Sequence, residues 1–258
     1  MQLAVDVGNT ETVLGLFPAD SLEIHAHWRY TTTVPRTPDE LLLLIRGLLR
    51  ESGVDPAGIT RSVVGSVVPV QTELLRRTLG SLGDSQVLML EGAAGLPIRL
   101  DVDEPRTVGA DRIANTLAAS ELYERDAVVV DLGTATTYDC ISADGGFVGG
   151  GSAPGLLAGE EWLSGHTAKL PRVEFRPPGK VVGRRTETCL QSGVFYSAVE
   201  AIDGVIRRIC DEWGGGDTLV VATGGHARAV AAHVPSVETV NPHLTLIGLQ
   251  LAGRHLGG

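Results

Sequence analysis

An acidic residue placed where an apolar strand gives way to a small-residue turn occurs twice in this chain, and the repeat constrains the fold more than any other feature. Leu3-Ala4-Val5 leads into Asp6-Val7-Gly8-Asn9-Thr10, and Ala127-Val128-Val129-Val130 leads into Asp131-Leu132-Gly133-Thr134-Ala135. A glycine in such a turn lets backbone approach a ligand closely, and Asn9 and Thr10 can donate to oxygens. A carboxylate at the strand end can hold a hydrated divalent ion against a polyphosphate. Taken alone, either stretch also reads as an ordinary hairpin turn. Two copies, 125 residues apart and so close to half the chain, point to an internal duplication whose halves close on one ligand.

The segments between the two turns follow one order. Thr12–Phe17 and Leu22–Thr32 read as strands, the second exposing His25 and His27 on an alternating face. Thr37-Pro38-Asp39-Glu40 is a helix start with the makings of a capping box, and Gly53 stops that helix after Ser52. A buried strand at Ser62–Val68, a helix opened by Pro69 and a strand at Val87–Leu90 complete the first half. Glu91–Val108 is punctuated by proline and reads as irregular, and a helix follows from Gly109 to Glu124. The second half offers strands at Ala127–Asp131, Thr136–Ile141 and Gly146–Gly149, then a helix at Gly155–Gly165. A loop rich in proline and basic residues spans Lys169–Arg185. A helix over Thr186–Glu212, a strand at Thr218–Ala222, a helix, a short strand at Val237–Val240 and a helix at His243–Leu256 close the chain. Interleaved helices and strands predict α/β layers with mixed sheets.

Composition narrows the partners. A net charge of −10 argues against nucleic acid or an anionic membrane, although a nucleotide can bind where basic groups, backbone donors or metal ions screen it. Cys140, Cys189 and Cys210 are odd in number and share no short spacing, which suggests a reducing compartment and neither a disulfide framework nor a zinc site. No leader pattern opens the sequence, and its apolar runs are shorter than a membrane span, so a soluble cytoplasmic protein is expected.

Several chemistries find no motif here: there is no G-x-x-x-x-G-K-[ST] loop, no G-x-S-x-G elbow and no H-E-x-x-H helix. Ala222-Thr223-Gly224-Gly225-His226 is a strand entering a Gly-Gly turn and a helix. It reads either as a plain connection or as backbone brought up to a phosphate or flat ligand. Gly109-Ala110-Asp111-Arg112 opens a helix. Its carboxylate is either structural, favoured by the helix dipole, or a base beside an anion clamp formed by Arg112. Adjacent helical residues do not face each other, so a simple salt bridge between them is a poor account of the pair.

These stretches, with Gly149-Gly150-Gly151-Ser152-Ala153-Pro154-Gly155, Thr167-Ala168-Lys169-Leu170-Pro171, Gly183-Arg184-Arg185-Thr186 and Gln191-Ser192-Gly193, stand in the order and spacing of type III pantothenate kinases. Each motif is weak by itself; eight in order are specific, and the resemblance covers essentially the whole chain. It implies an actin-like, sugar-kinase-like fold of two ribonuclease-H-like domains, over residues 1–110 and 111–258, with ATP in the cleft. It implies that Asp6, Val7, Gly8, Asn9, Thr10, Glu11, Thr12 and Val13 form the first phosphate loop and that Thr134 contacts the phosphates from the second. Gly109, Ala110, Asp111 and Arg112 are then expected to bind pantothenate with Asp111 as general base, and Thr186 to touch the same substrate. Mg²⁺ is expected through water on Asp6, and K⁺ or NH₄⁺ on Asp131. Family members are homodimers. Where many have a tyrosine near the pantothenate site, this chain has Leu100, which removes a hydroxyl contact.

The expected reaction is phosphorylation of pantothenate at the head of coenzyme A biosynthesis. A kinase of the same fold with another acceptor and a non-catalytic nucleotide-binding regulator are the alternatives. A two-metal nuclease on ribonuclease-H-like halves fits poorly, because the chain is acidic and its two motif carboxylates lie in different halves.

Overall fold

The computed structural model describes residues 1–213 and 217–257. In the first half, β1 (Gln2–Val7), β2 (Glu11–Phe17), β3 (Ala26–Thr31), α1 (Pro38–Glu51), β4 (Arg61–Ser66), α2 (Pro69–Gly80) and β5 (Gln86–Leu90) follow in order. They form a sheet ordered β3-β2-β1-β4-β5, in which β1 pairs antiparallel with β2 and parallel with β4. Next come β6 (Arg99–Leu100), α3 (Ala110–Tyr123), β7 (Ala127–Leu132), β8 (Ala135–Ile141), β9 (Gly146–Pro154), α4 (Ala158–His166), α5 (Thr186–Trp213), β10 (Leu219–Thr223), α6 (Ala227–Ala231), β11 (Thr239–Val240) and α7 (Leu244–Leu256). The second sheet is ordered β11-β10-β7-β8-β9-β6. Without β6, its strand order repeats that of the first sheet, and β7 pairs antiparallel with β8 and parallel with β10 as β1 does with β2 and β4. The duplication expected from the two acidic turns is therefore present as topology. Two compact units result, one of Met1–Glu124, Ser142–Val148 and His243–Gly258, the other of Arg125–Ile141 and Gly149–Pro242.

In the first unit, alternation along β1 sends Leu3, Val5 and Val7 into a core with Leu41, Ile45 and Leu49 of α1 and Leu75 and Leu79 of α2. Ala4 and Asp6 consequently face the opposite side, where α7 and α3 pack. The start of α1 carries the expected capping box: Thr37 Oγ1 accepts the Glu40 N–H at 3.3 Å, and Glu40 Oε2 accepts the Thr37 N–H at 2.7 Å. In the second unit, α5 lays Phe195, Val199, Ile202 and Ile206 against Val128, Val130 and Leu132 of β7. Asp203 pins α5 to the segment before β11, its carboxylate accepting the Ser236 N–H at 3.0 Å, the Ser236 hydroxyl at 2.7 Å and Arg207 Nε at 3.0 Å.

β3, β9 and β6 differ most from the sequence reading. β3 begins at Ala26, not Leu22; upstream of it the carbonyls of Pro18, Ala19 and Ser21 are contacted by the buried amide of Gln250 at 3.1–3.2 Å. β9 continues to Pro154; its glycines have no side chains to display a period of two. Within the proline-punctuated stretch, β6 pairs parallel with the first residues of β9. His25 lies outside β3, while His27 stays exposed on it with its ring 4.5 Å from that of His243. None of Cys140, Cys189 and Cys210 is in a disulfide. Among the described residues no helix is long and apolar enough to cross a membrane.

Candidate active site

In the first unit the parallel ladder sets Asp6 opposite Gly65 and Val7 opposite Ser66. Asp6 is half-buried at the point where β1 turns into β2. The turn, Gly8-Asn9-Thr10, is closed by the Gly8 N–H on the Glu11 carbonyl at 3.0 Å, leaving Asn9 and Thr10 exposed. Within the expected phosphate loop, Val7 and Thr12 are buried, and the Thr12 hydroxyl shares a 2.9 Å hydrogen bond with that of Thr32. These two can meet a ligand through their backbone alone. Val13 is half-buried opposite Asp6, and exposed Glu11 pairs with Arg29 at 3.3 Å.

The N-terminus of α3 packs beside that strand end. A Cβ built on Gly65 would stand 3.5 Å from the Ala110 Cβ, and one on Gly109 would stand 3.4 Å from Val67. Asp111 turns back over the helix start: its Oδ1 accepts the Arg112 N–H at 2.9 Å and occupies the space that a side chain at position 109 would need. Gly109 is thus a requirement of the Asp111 rotamer. The Arg112 guanidinium goes elsewhere, its carbon 4.9 Å above the centre of the Phe147 ring. Asp6 and Gly109–Arg112 therefore gather on one side of the first sheet, with Asp111 and Arg112 both half-buried.

In the second unit Asp131 pairs with Thr137 of β8 and Thr223 of β10. The turn after β7 is one residue shorter than its counterpart, with Gly133 and Thr134 between the strands and the Gly133 N–H on the Ala135 carbonyl at 3.1 Å. Gly224, at φ +90°, lies so close that a Cβ there would collide with Asp131 Oδ1 and the Leu132 backbone. A Cβ at Gly155 would likewise strike the Thr134 carbonyl. The acidic turn is thus held between the Gly-Gly turn and the end of the glycine-rich strand. Beside it Thr223 is fully buried, and its Oγ1 has no hydrogen-bond partner.

Thr186 is the first residue of α5. It is exposed, and at this helix start the Arg184 and Arg185 N–H groups both donate to Thr188 Oγ1 at 3.1 Å. A groove of about 470 Å³ opens there between α4 and α5, lined by Trp162, Leu163, Thr186, Cys189 and Val194 among others. Sequence reasoning did not single out Phe147 or the orphaned hydroxyl of Thr223. The second was within reach, since Thr223 ends a strand in the element already noted for its glycines. Phe147 was not, because nothing near Arg112 in sequence announces a ring beneath it.

These donor sets suit the ions of a phosphoryl-transfer site. Mg²⁺ keeps most of its water and needs one or two carboxylates plus substrate phosphates, which the half-buried Asp6 carboxylate beside an exposed turn can satisfy. A desolvated hydroxyl on Thr223, in register with a carboxylate and next to close backbone, suits a weakly hydrated monovalent cation.

A family model described as type III pantothenate kinase matches residues 2–208. Relatives bearing that name include a protein of Moorella thermoacetica, 42% identical over 97% of this chain and 98% of its own. Another, of Anaeromyxobacter sp. strain Fw109-5, is 43% identical over 97% and 98%. Among solved structures, inorganic polyphosphate/ATP-glucomannokinase of Arthrobacter sp. strain KM is similar at a TM-score of 0.52, with 16% identity over 98% of this chain and 99% of the other. Component A of (R)-2-hydroxyglutaryl-CoA dehydratase of Acidaminococcus fermentans follows at 0.50, with 14% identity over 97% and 95%. At such identities these structures speak for the fold, and with the repeated strand order they identify two ribonuclease-H-like halves of the actin-like ATPase class. By its sequence likeness across both full lengths, the chain belongs to the type III pantothenate kinase family.

Proposed function

We propose that this chain transfers the γ-phosphoryl group of ATP to the primary hydroxyl of pantothenate, with Asp111 as the general base. The observation that carries the assignment is the Asp111 carboxylate, half-buried, oriented by the Arg112 N–H and set on the same side of the sheet as the Asp6 turn. Family membership supplies the reaction: 4′-phosphopantothenate is made at the entry to coenzyme A biosynthesis.

Phosphoryl transfer asks little covalent work of a protein, and positioning with charge neutralisation dominates. Residues 1–110 contribute the first phosphate loop, Asp6–Val13, whose exposed Asn9 and Thr10 and backbone N–H groups bind phosphate oxygens. Residues 111–258 contribute the second, where Thr134 does the same. Gly109, Ala110 and Arg112 bind pantothenate with Asp111, Arg112 taking its carboxylate, and Thr186 makes a further contact with it. Asp111 accepts the hydroxyl proton at a carboxylate oxygen as that hydroxyl attacks phosphorus. Asp6 would hold Mg²⁺ through water, and Asp131 with Thr223 would hold K⁺ or NH₄⁺; bound there, these ions supply neutralisation of phosphate charge. Asp131 and the backbone of Gly224 keep that position rigid. The working protein is a cytoplasmic homodimer.

The test is Asp111→Asn in a coupled ADP-release assay with pantothenate. Turnover is expected to fall by about 10²–10⁴-fold, with ATP affinity nearly unchanged. Full turnover in the variant would remove Asp111 from the base role. Sugars and small alcohols that lack the pantothenate skeleton, offered with ATP, are expected to give no ADP.

A further inference from the structure

Phe147 is 2% exposed, and nothing in the reaction so far uses it. Its place is fixed from two directions. In the ladder it is the register partner of Leu100, and its carbonyl accepts the Asp101 N–H at 2.8 Å. Register partners share a face of the sheet, so Leu100 and Phe147 lie side by side. Above the ring stands the Arg112 guanidinium, its carbon 4.9 Å from the ring centre. A guanidinium is weakly hydrated and planar, and the negative face of an aromatic ring attracts it most where water is scarce. An aliphatic side chain at 147 would fill the space without attracting the charge.

We propose that Phe147 is the positioning residue for substrate recognition: its ring face fixes the plane of the Arg112 fork so that it meets the pantothenate carboxylate two-pronged. This rests on the reading of Arg112 as the carboxylate clamp. Orientation matters because a bidentate guanidinium–carboxylate pair is both stronger and more geometrically demanding than a single contact. Leu100, beside the ring, contributes apolar packing, so the aromatic surface of this corner comes from position 147.

Packing and charge attraction separate when the ring keeps its shape and loses its negative face. Phe147 is replaced by phenylalanines carrying one, two and three ring fluorines, and KM and kcat are measured. The acceptors are pantothenate and the analogue with a primary alcohol in place of the carboxylate. For pantothenate, KM is expected to rise step by step to about ten-fold at three fluorines, with kcat within about two-fold. For the alcohol, KM stays level, and Phe147→Tyr, which keeps a ring, behaves nearly as the parent does. A pantothenate KM that ignores fluorination overturns the positioning role. Arg112→Ala, assayed alongside, is expected to abolish the preference for the carboxylate. If it does so while the fluorine series stays flat, Phe147 alone is wrongly placed; if the preference survives in Arg112→Ala, the clamp reading falls and this inference with it.

Discussion

Thr223 buries a hydroxyl with no partner at the side of Asp131, and such a group costs about 1–3 kcal/mol unless something binds it. A chain selected for stability alone would carry valine there, as Val220 and Val221 of the same strand do. Thr223→Val is therefore expected to raise the melting temperature by a few degrees while weakening the response of turnover to K⁺. Thermal melts and initial rates in potassium and in sodium read the two effects separately. A variant that is both less stable and fully potassium-responsive would show that the hydroxyl serves packing. Gly224 is the complementary case, because its φ of +90° and its closeness to Asp131 leave no room for any side chain.

Among the elements, what could be read from sequence was whatever closes on itself within a few residues. The start of α1 needed only Thr37, Pro38 and Glu40, and all three act as their order suggests. The strand-to-acid turns at Asp6 and Asp131 were equally local, so the two phosphate-loop candidates and the duplication were legible. What was not legible depends on distant partners. Gln250 of α7 ties down the segment before β3 from far along the chain, and β6 exists because β9 accepts it. The ring under Arg112 and the glycine against Asp131 come from other elements in the same way. Asp203 is a further long-range tie, and it carries a pH dependence. Burial works against its charge, but the Ser236 hydroxyl and N–H and the Arg207 guanidinium outweigh this and hold its pKa below the ordinary value of 3.8. A carboxylate whose pKa is depressed by folding adds stability above its unfolded pKa and loses it as pH falls through the folded one. Asp203→Asn should cost about 1–2 kcal/mol at pH 7 and progressively less below about pH 4. Urea unfolding across that range checks this, and a constant difference at all pH values would show that charge has no part in it.

For the molecule as a whole, charge sets a problem that its distribution answers. The chain carries −10, yet ATP and pantothenate are both anions. Between Lys169 and Arg185 stand six of the 21 basic residues, Lys169, Arg172, Arg176, Lys180, Arg184 and Arg185, against one acid, Glu174. All six are exposed, and among the described residues one ion pair is formed there, Arg176 with Glu174 at 3.4 Å. The segment ends at Thr186, so this local positive field leads to the start of α5 across an otherwise repulsive surface. Arg172 and Lys180 have no part in the chemistry, so changing both to glutamine should leave kcat unaltered. At low ionic strength kcat/KM for pantothenate should fall several-fold. That deficit should close as salt shortens the reach of surface charge to roughly 3 Å at 1 M. A loss that persists in high salt would mean that these side chains touch the substrate or shape the loop, and steering would be the wrong account of why an acidic protein keeps its only two lysines there.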